Sequence, residues 1–265
     1  MSSKPSLVTG LALGLSLLVA ETGLTQTQAD DKPKTPSAQT AKDKAAWKTL
    51  FDGKALAGWK SAGYIGGGMV EVKNGALVME KGAYMTGAVY TRGDFPKIDY
   101  EVVLEGKKLA GNDFFCTTTF PVGDAFCSLV VGGWGGQVVG LSSLNHMDAS
   151  ENDTSTTQEF KKDQWYKVRI RVVKDRIQAW IDDKQLIDAD TMDRKISIRI
   201  ECDNCKPFGL CTYDTTGAVR TVKGQAKPPG VVTIVSPDPK GPAALAGLQH
   251  GDAVLRMDGA ALKAG

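Results

Sequence analysis

The stretch that most constrains the fold is Gln164 to Asp183, QWYKVRIRVVKDRIQAWIDD, in which apolar and polar residues alternate on both sides of Lys174-Asp175. Such alternation is typical of a β-hairpin with one buried face. With the turn at Lys174-Asp175, Ile170 lies opposite Ala179 on the apolar face. A shift of one residue would turn the whole apolar face toward solvent, so the sequence predicts this register.

The other face of the hairpin is polar and carries a single aromatic ring. In the same register Arg169 lies opposite Trp180, and Arg171 lies opposite Gln178. This face is either the solvated outside of a sheet or a platform on which a sugar ring stacks on the indole beside hydrogen-bond donors. The candidate substrate-binding residues of the hairpin are therefore Arg169, Arg171, Gln178 and Trp180.

Between Trp47 and Val222 the chain consists of short β-like runs separated by Gly, Asp, Asn and Pro, without a helical period. The dipeptide Asn74-Gly75 between two apolar runs favours a type I′ hairpin turn. About a dozen strands without helices predict an all-β fold, a two-sheet antiparallel jelly-roll sandwich. Besides the hairpin, strands are predicted at residues 69–73, 76–79, 85–90, 98–105, 114–120, 126–131, 137–141, 196–200, 208–213 and 218–222.

The N-terminal segment has the order of a secretory signal peptide. Lys4 precedes an apolar run from Leu7 to Ala20, and Thr27-Gln28-Ala29 offers a small-x-small cleavage site. The run is shorter than the roughly 20 residues that span a membrane. The sequence thus predicts an exported protein, periplasmic or extracellular, with no membrane span after cleavage. The expected organisation is a signal peptide at 1–29, a disordered linker at 30–46, the sandwich domain at 47–223 and a second linker at 224–229.

Charge excludes some classes of partner. The formal net charge is +2, and basic residues are interspersed with acidic ones along the chain instead of forming clusters. Neither nucleic acid nor an anionic membrane is therefore expected as a partner. No cofactor is indicated, although a divalent cation with oxygen ligands is left open.

Five cysteines in an exported protein predict at least one disulfide. Cys116 and Cys127 flank a turn and are the first predicted pair. Cys202 with Cys211 is the second, which leaves Cys205 unpaired. The Cys-x-x-Cys at 202–205 has no second such motif and no nearby histidine, so a zinc site is not expected.

Residues 230–259, GVVTIVSPDPKGPAALAGLQHGDAVLRMDG, resemble part of a bacterial PDZ domain. Members of that family bind a peptide C-terminus by adding a strand to a sheet edge, between a strand with its carboxylate loop and a later helix. Neither binding element is recognisable here, so residues 230–265 are expected to form a partial PDZ domain. An interaction adaptor is an alternative function.

Several stretches of the sandwich resemble the 3-keto-disaccharide hydrolase family. They are WKTLFDGKALAGWK at 47–60, DFPKIDYEVVLE at 94–105, the Gly111-Asn112 turn, and QWYKVRIRVVKDRIQAWIDDKQLID at 164–188. The resemblance implies a concanavalin A-like jelly roll of the lectin/glucanase type. It also implies cleavage of glycosides oxidised at C3, by hydrolysis or by elimination and hydration. A 3-keto group acidifies the C2 hydrogen, so a base can eliminate the glycosidic oxygen before water adds.

Other candidate site residues lie in three loops. His146, Asp148 and Glu151 fall within one polar loop that either performs acid-base chemistry or is only solvated. Trp134 stands among four glycines, which either hold its indole out for sugar stacking or form a tight turn. Asn112 and Asp113 follow a turn and are candidate substrate contacts. Family members carry Glu-x-Gln-x-x-Asp where this chain has residues 125–130, so a non-catalytic carbohydrate-binding jelly roll is an alternative.

Overall fold

The computed structural model describes residues 47–226 and, beyond them, only the backbone of four short strands. Within residues 47–226, two antiparallel sheets pack face to face over one hydrophobic core. The predicted all-β jelly-roll sandwich is confirmed. In the described part of the chain, no helix is long and apolar enough to cross a membrane.

The larger sheet contains the predicted hairpin. Its eight strands run in the order β13-β12-β11-β6-β15-β4-β3, and β1 pairs with β15. These strands are β1 (Lys48–Phe51), β3 (Val70–Lys73), β4 (Ala76–Met79), β6 (Tyr100–Gly111), β11 (Trp165–Val173), β12 (Arg176–Ile181), β13 (Lys184–Asp190) and β15 (Thr215–Ala226).

The smaller sheet has seven strands in the order β10-β9-β8-β7-β14-β5-β2. Strand β14 comes late in the chain but pairs between β7 and β5, so residues distant in sequence become neighbours. These strands are β2 (Trp59–Ser61), β5 (Met85–Tyr90), β7 (Thr117–Val122), β8 (Ala125–Gly132), β9 (Val138–Ser142), β10 (Thr156–Thr157) and β14 (Gly209–Tyr213).

The register of the central hairpin is confirmed. Ile170 pairs with Ala179 and Arg169 with Trp180 across β11 and β12, and the chain turns at Lys174-Asp175. Ile170 and Ala179 are buried in the core, which places Arg169 on the outer face because strand side chains alternate. The second predicted turn is also confirmed, since Asn74 and Gly75 both have positive φ, 51° and 77°.

One predicted strand, at residues 196–200, is wrong. Only Ile196 forms an isolated bridge, with Leu144, and a 3-10 helix then runs over Ile200–Cys205. The alternation Ile-Ser-Ile-Arg-Ile has the period of a half-buried strand, but Ile200 is 87% exposed and begins the helix instead. This segment covers part of the outer face of the smaller sheet, where Cys202 and Cys205 pack against β5 and β14.

Neither predicted disulfide is formed: all five cysteines are free and buried. The β7–β8 register places Cys127 opposite Phe120 rather than near Cys116. The sulfurs of Cys202 and Cys211 lie 3.9 Å apart without a bond.

The predicted signal peptide and the linker at 30–46 lie outside the described residues. The predicted partial PDZ domain also lies outside them, except for the backbone of two strand pairs, β16 (Val232–Thr233) with β17 (Ala253–Val254) and β18 (Arg256–Met257) with β19 (Ala260–Ala261). These assignments stay predictions.

Candidate functional site

A cavity of about 260 Å³ opens on the outer face of the smaller sheet. Val130 of β8 forms part of its floor, whereas the adjacent Leu129 and Val131 point the other way into the core. The 3-10 helix and the segment before it form one wall. The lining is aromatic and aliphatic at Met85, Phe114, Val130, Trp134 and Tyr213, it is polar at Asp113, Ser142, Arg199 and Glu201, and it includes the thiol of Cys202.

A glycine-rich turn between β8 and β9 carries Trp134 to the mouth of this cavity. Trp134 itself has φ 48°, and Gly135 and Gly136 have φ 85° and 103°. Gly133 also has to lack a side chain, because a Cβ there would lie 2.7 Å from Val130 Cγ1. The turn leaves Trp134 44% exposed, so the indole is both held in place and open to a ligand.

Asp113 fastens this turn to the neighbouring strand. Its Oδ2 accepts a hydrogen bond from the Gly135 N–H at 3.3 Å, and its Oδ1 accepts one from the Phe114 N–H at 2.8 Å. Its own N–H donates to Thr215 Oγ1 at 2.9 Å. The Asp113 carboxylate is thus positioned by the backbone and in turn positions Trp134.

An aromatic row leads from solvent into the cavity. The Tyr84 ring centroid lies 6.4 Å from that of Tyr213, which lies 5.8 Å from that of Phe114. Tyr84 is 67% exposed, while Tyr213 and Phe114 are half-buried. Phe114, Tyr213 and Trp134 give the cavity its aromatic surfaces, and Tyr84 extends the row beyond the lining.

Arg199 is the main charged group of the cavity. Its Nη2 donates to Glu201 Oε1 at 2.7 Å, and its Nε donates to Glu201 Oε2 at 3.3 Å. Its Nη1 donates to Asp148 Oδ2 at 2.6 Å. The guanidinium carbon lies 5.8 Å from the Trp134 ring centroid. A planar cation therefore stands beside the exposed indole, held by two carboxylates.

The ion pair shifts the titration of both partners. The hydrogen bonds from Arg199 lower the pKa of Glu201, and the same bonds raise the pKa of Arg199. Glu201 therefore stays ionised to a lower pH than an unpaired glutamate does. Tyr64 holds the backbone of this wall, because its hydroxyl donates to the Glu201 carbonyl at 2.7 Å.

The three predicted catalytic residues do not line the cavity. Asp148 reaches it only through Arg199, and its Oδ1 accepts hydrogen bonds from the Ser150 N–H and hydroxyl. His146 is exposed with φ 67°, and exposed Glu151 accepts a hydrogen bond from the Asp148 N–H at 3.4 Å. The catalytic roles of these residues stay predictions.

The predicted substrate-binding residues fall into two separate places. Asp113 and Trp134 line the cavity, and the exposed Asn112 lies beside the same turn, where a Cβ on Gly136 would meet its Oδ1 at 2.8 Å. The other four belong to the outer face of the larger sheet, across the core from the cavity: Arg169, Arg171, Gln178 and Trp180. The structure therefore does not bring the two groups together.

The wall and part of the floor of the cavity are formed by residues that the sequence did not predict as site residues. Arg199 lies within the predicted strand at 196–200, and Glu201 directly follows it. Met85 and Tyr213 lie at the ends of two other predicted strands, where nothing in the sequence distinguishes them from structural residues. The available signal was an Arg-x-Glu pair directly before Cys-x-x-Cys, although its two charges occupy the polar positions of a strand-like alternation. Among the described residues, no group of three or more His, Cys, Asp or Glu side chains is arranged to hold a metal ion.

Comparison with known families gives one match over most of the sandwich. The family model of the 3-keto-α-glucoside-1,2-lyase-like domain matches residues 46–223. This range contains every residue that lines the cavity and ends before the tail. Among curated proteins, no sequence matches this chain.

Solved structures similar to this chain include carbohydrate-related proteins. A carbohydrate-binding module, CBM66 from Bacillus subtilis, has 12% identity and a TM-score of 0.43, covering 63% of this chain and 95% of that one. A putative glycosyl hydrolase from Parabacteroides distasonis has 13% identity and a TM-score of 0.45, covering 72% and 97%. The VIP36 exoplasmic/lumenal domain has 11% identity and a TM-score of 0.47, covering 68% and 90%. At these identities the likeness concerns the fold alone.

Proposed function

The chain belongs to the 3-keto-α-glucoside-1,2-lyase-like family, and we propose that it binds glycosides oxidised at C3 in the cavity of the smaller sheet. The observation that carries the proposal is the half-exposed Trp134 at the mouth of that cavity, within 5.8 Å of the Arg199 guanidinium. An apolar ring with a few directed polar groups is the usual composition of a small-ligand site.

Each lining group has a place in this proposal. The Trp134 indole packs against the apolar face of the sugar ring, and Phe114 and Tyr213 face the rest of the ligand. The Arg199 guanidinium donates to the C3 carbonyl oxygen, which is the feature that distinguishes an oxidised glycoside from its parent. Asp113 contributes by holding the turn of Trp134.

A second candidate function is cleavage of the bound glycoside, and the Arg199–Glu201 pair favours it. In this reaction a carboxylate of the wall removes the C2 proton, the glycosidic oxygen leaves C1 with its bonding electrons and takes up a proton from water, and a water molecule then adds across the C1–C2 double bond of the enone. Arg199 would stabilise the enolate that forms at C3. Both Glu201 oxygens accept hydrogen bonds from the Arg199 side chain, whereas those of Asp113, the other carboxylate of the lining, accept them from the Phe114 and Gly135 N–H groups.

The Arg199–Glu201 ion pair supports binding better than it supports cleavage. Both Glu201 oxygens accept hydrogen bonds from Arg199, and the lowered pKa of Glu201 makes it a weaker base. Cleavage therefore requires the ligand to draw Arg199 away from Glu201. Binding requires no such rearrangement.

The test is calorimetry and product analysis on the full-length protein with a 3-keto-disaccharide and its unoxidised parent. Binding of the oxidised ligand in preference to the parent, without turnover, supports the first function. Release of the leaving sugar at a rate that falls in Glu201→Gln supports the second. If neither ligand binds and no product forms, both are wrong.

We also propose that the protein is exported, because residues 1–29 have the order of a signal peptide. The test is the N-terminal sequence of the protein after expression in a bacterium with a secretion pathway. A mature chain that begins at Asp30 in the extracytoplasmic fraction supports export. An intact Met1 in the cytoplasmic fraction contradicts it.

A further inference from the structure

Three thiols converge behind the wall of the cavity. Cys202 and Cys205 belong to the 3-10 helix, and Cys211 belongs to β14. Residues three apart lie on the same side of a 3-10 helix, because this helix has about three residues per turn. Both helix cysteines accordingly face the strand, and with Cys211 they form one buried cluster.

The three thiols differ in contact and access. Cys202 Sγ lies 3.9 Å from Cys211 Sγ, and Cys202 is the one of the three cysteines that lines the cavity. Cys205 is fully buried, its Sγ lying 3.4 Å from the Tyr64 hydroxyl and 3.6 Å from the Leu210 carbonyl oxygen. An oxidant small enough to enter the cavity therefore meets Cys202 first.

The pKa values of the thiols also favour Cys202 as the first of the three to react. The hydrogen bond with Cys211 lowers the pKa of Cys202. The pKa of Cys211 is raised, first by its hydrogen bonds with Cys202 and Cys205 and then by its burial. The thiolate is the reactive form of cysteine. Away from the cavity, burial raises the pKa of Cys127 to about 12 and raises that of Cys116 as well, which leaves these two as unreactive references.

We propose that Cys202 and Cys211 are an oxidation site at which a hydroperoxide entering the cavity forms a disulfide. The Cys202 thiolate attacks one peroxide oxygen, the O–O bond breaks, and Cys202 becomes a sulfenic acid while hydroxide or alkoxide leaves. The Cys211 thiol then attacks Cys202 Sγ, the S–O bond breaks, and water is released with the Cys211 proton. The two electrons lost by the thiols reduce the peroxide.

The bridge changes the cavity because of where it lies in the chain. Cys202 directly follows Glu201, and Arg199 begins the same wall. Closing the gap from 3.9 Å to the roughly 2 Å of a disulfide draws this wall toward β14 and ties it there. Oxidation therefore fixes the segment that carries the Arg199–Glu201 pair. This inference does not depend on which ligand the cavity takes.

The experiment begins with full-length protein that has been reduced, freed of reductant and treated with equimolar hydrogen peroxide. The remaining thiols are alkylated under denaturing conditions and the peptides are mapped by mass. We expect a Cys202–Cys211 linkage, with Cys116, Cys127 and Cys205 alkylated. We also expect Tm to rise by roughly 5 to 10 °C relative to the reduced protein, because the bridge restricts the unfolded chain.

Two variants separate the proposed pair from the third thiol. Cys205→Ser keeps both the linkage and the rise in Tm. Cys211→Ser loses both and accumulates sulfenic acid on Cys202, which a dimedone label detects. The proposal is overturned if all five thiols of the wild type are alkylated, if the linkage involves Cys205, or if Cys202 goes directly to a sulfinic acid in the presence of Cys211.

Discussion

The guanidinium carbon of Arg169 lies 3.7 Å from the ring centroid of Trp180, so one face of this indole is already occupied by a cation of its own sheet. Trp180 is half-buried in that position. Trp134, on the other sheet, has no such close cover and is 44% exposed beside a cavity. We therefore expect a sugar to stack on Trp134 and not on the hairpin face.

The first prediction concerns these two tryptophans. Trp134→Ala is expected to weaken binding of the 3-keto-disaccharide about tenfold, because it removes the ring against which the sugar packs. Trp180→Ala is the matched control and is expected to leave the affinity within about twofold. Calorimetric titration of both variants checks this. Equal losses in the two variants would contradict the assignment.

The second prediction concerns Asp113, which we regard as a positioning residue for Trp134. Asp113→Ala removes the acceptors of the Gly135 and Phe114 N–H groups, so the turn loosens and affinity falls about as far as in Trp134→Ala. Asp113→Asn keeps a single acceptor oxygen and is expected to be intermediate. A merely structural role would instead lower Tm while affinity at low temperature stayed at the wild-type value.

Asp124 provides the matched control for Asp113→Ala, because its replacement removes the same charge at a site away from the cavity. Asp124 has a 96% exposed side chain and pairs only with Lys97. Asp124→Ala is therefore expected to leave both affinity and Tm unchanged. If it weakens binding as much as Asp113→Ala, a general effect of net charge explains both losses.

The third prediction is a pH dependence of stability through Glu201. Its pKa is lowered in the folded state by Arg199, so the ion pair stabilises the fold above the unfolded pKa of about 4.3 and this contribution is lost as pH falls through the folded value. The pair is partly exposed, which limits its contribution to about 1 kcal/mol or less. Urea unfolding at neutral pH and at a series of lower pH values gives the measurement.

The decisive quantity is the difference in unfolding free energy between wild type and Glu201→Gln. This difference is expected to be present at neutral pH, to shrink as pH falls below the unfolded pKa of about 4.3, and to vanish once the carboxylate is protonated in the folded state as well. Glu159→Gln, an exposed control, is expected to show no difference at any pH in the series. A Glu201→Gln difference that is constant across the range would show that charge at Glu201 does not matter.

The fourth prediction tests the core beneath the hairpin. Ile170 is fully buried between the sheets, so Ile170→Ala should lower the free energy of unfolding by about 2–5 kcal/mol. Ile200 is 87% exposed, and Ile200→Ala should change the free energy of unfolding by no more than about 0.5 kcal/mol. Denaturant unfolding compares the two. Similar losses would place Ile200 in a packed environment that the structure does not show.

The hairpin could be predicted from the sequence because everything that specifies it is local. The alternation around Lys174-Asp175 sets both the face and the register, and the pairing of Ile170 with Ala179 follows from it. The turn at Asn74-Gly75 is equally local, since its conformation depends on two residues that tolerate positive φ.

The cavity could not be predicted in the same way, because it depends on non-local pairing. Phe114 and Tyr213 lie side by side because β14 pairs between β7 and β5, and no local pattern specifies that order. Arg199 and Glu201 were hidden by an alternation that imitates a strand. Trp134 could be predicted as a site residue because four glycines around one tryptophan are unusual. Its neighbour Arg199 could not be predicted.

The proposed site is tested by the position of a bound glycoside in a crystal structure of the protein soaked with a 3-keto-disaccharide. We predict the sugar ring against the Trp134 indole, with its C3 oxygen within hydrogen-bond distance of the Arg199 guanidinium. Density for the sugar on the outer face of the larger sheet, over Trp180 and Arg171, with an empty cavity, would contradict it.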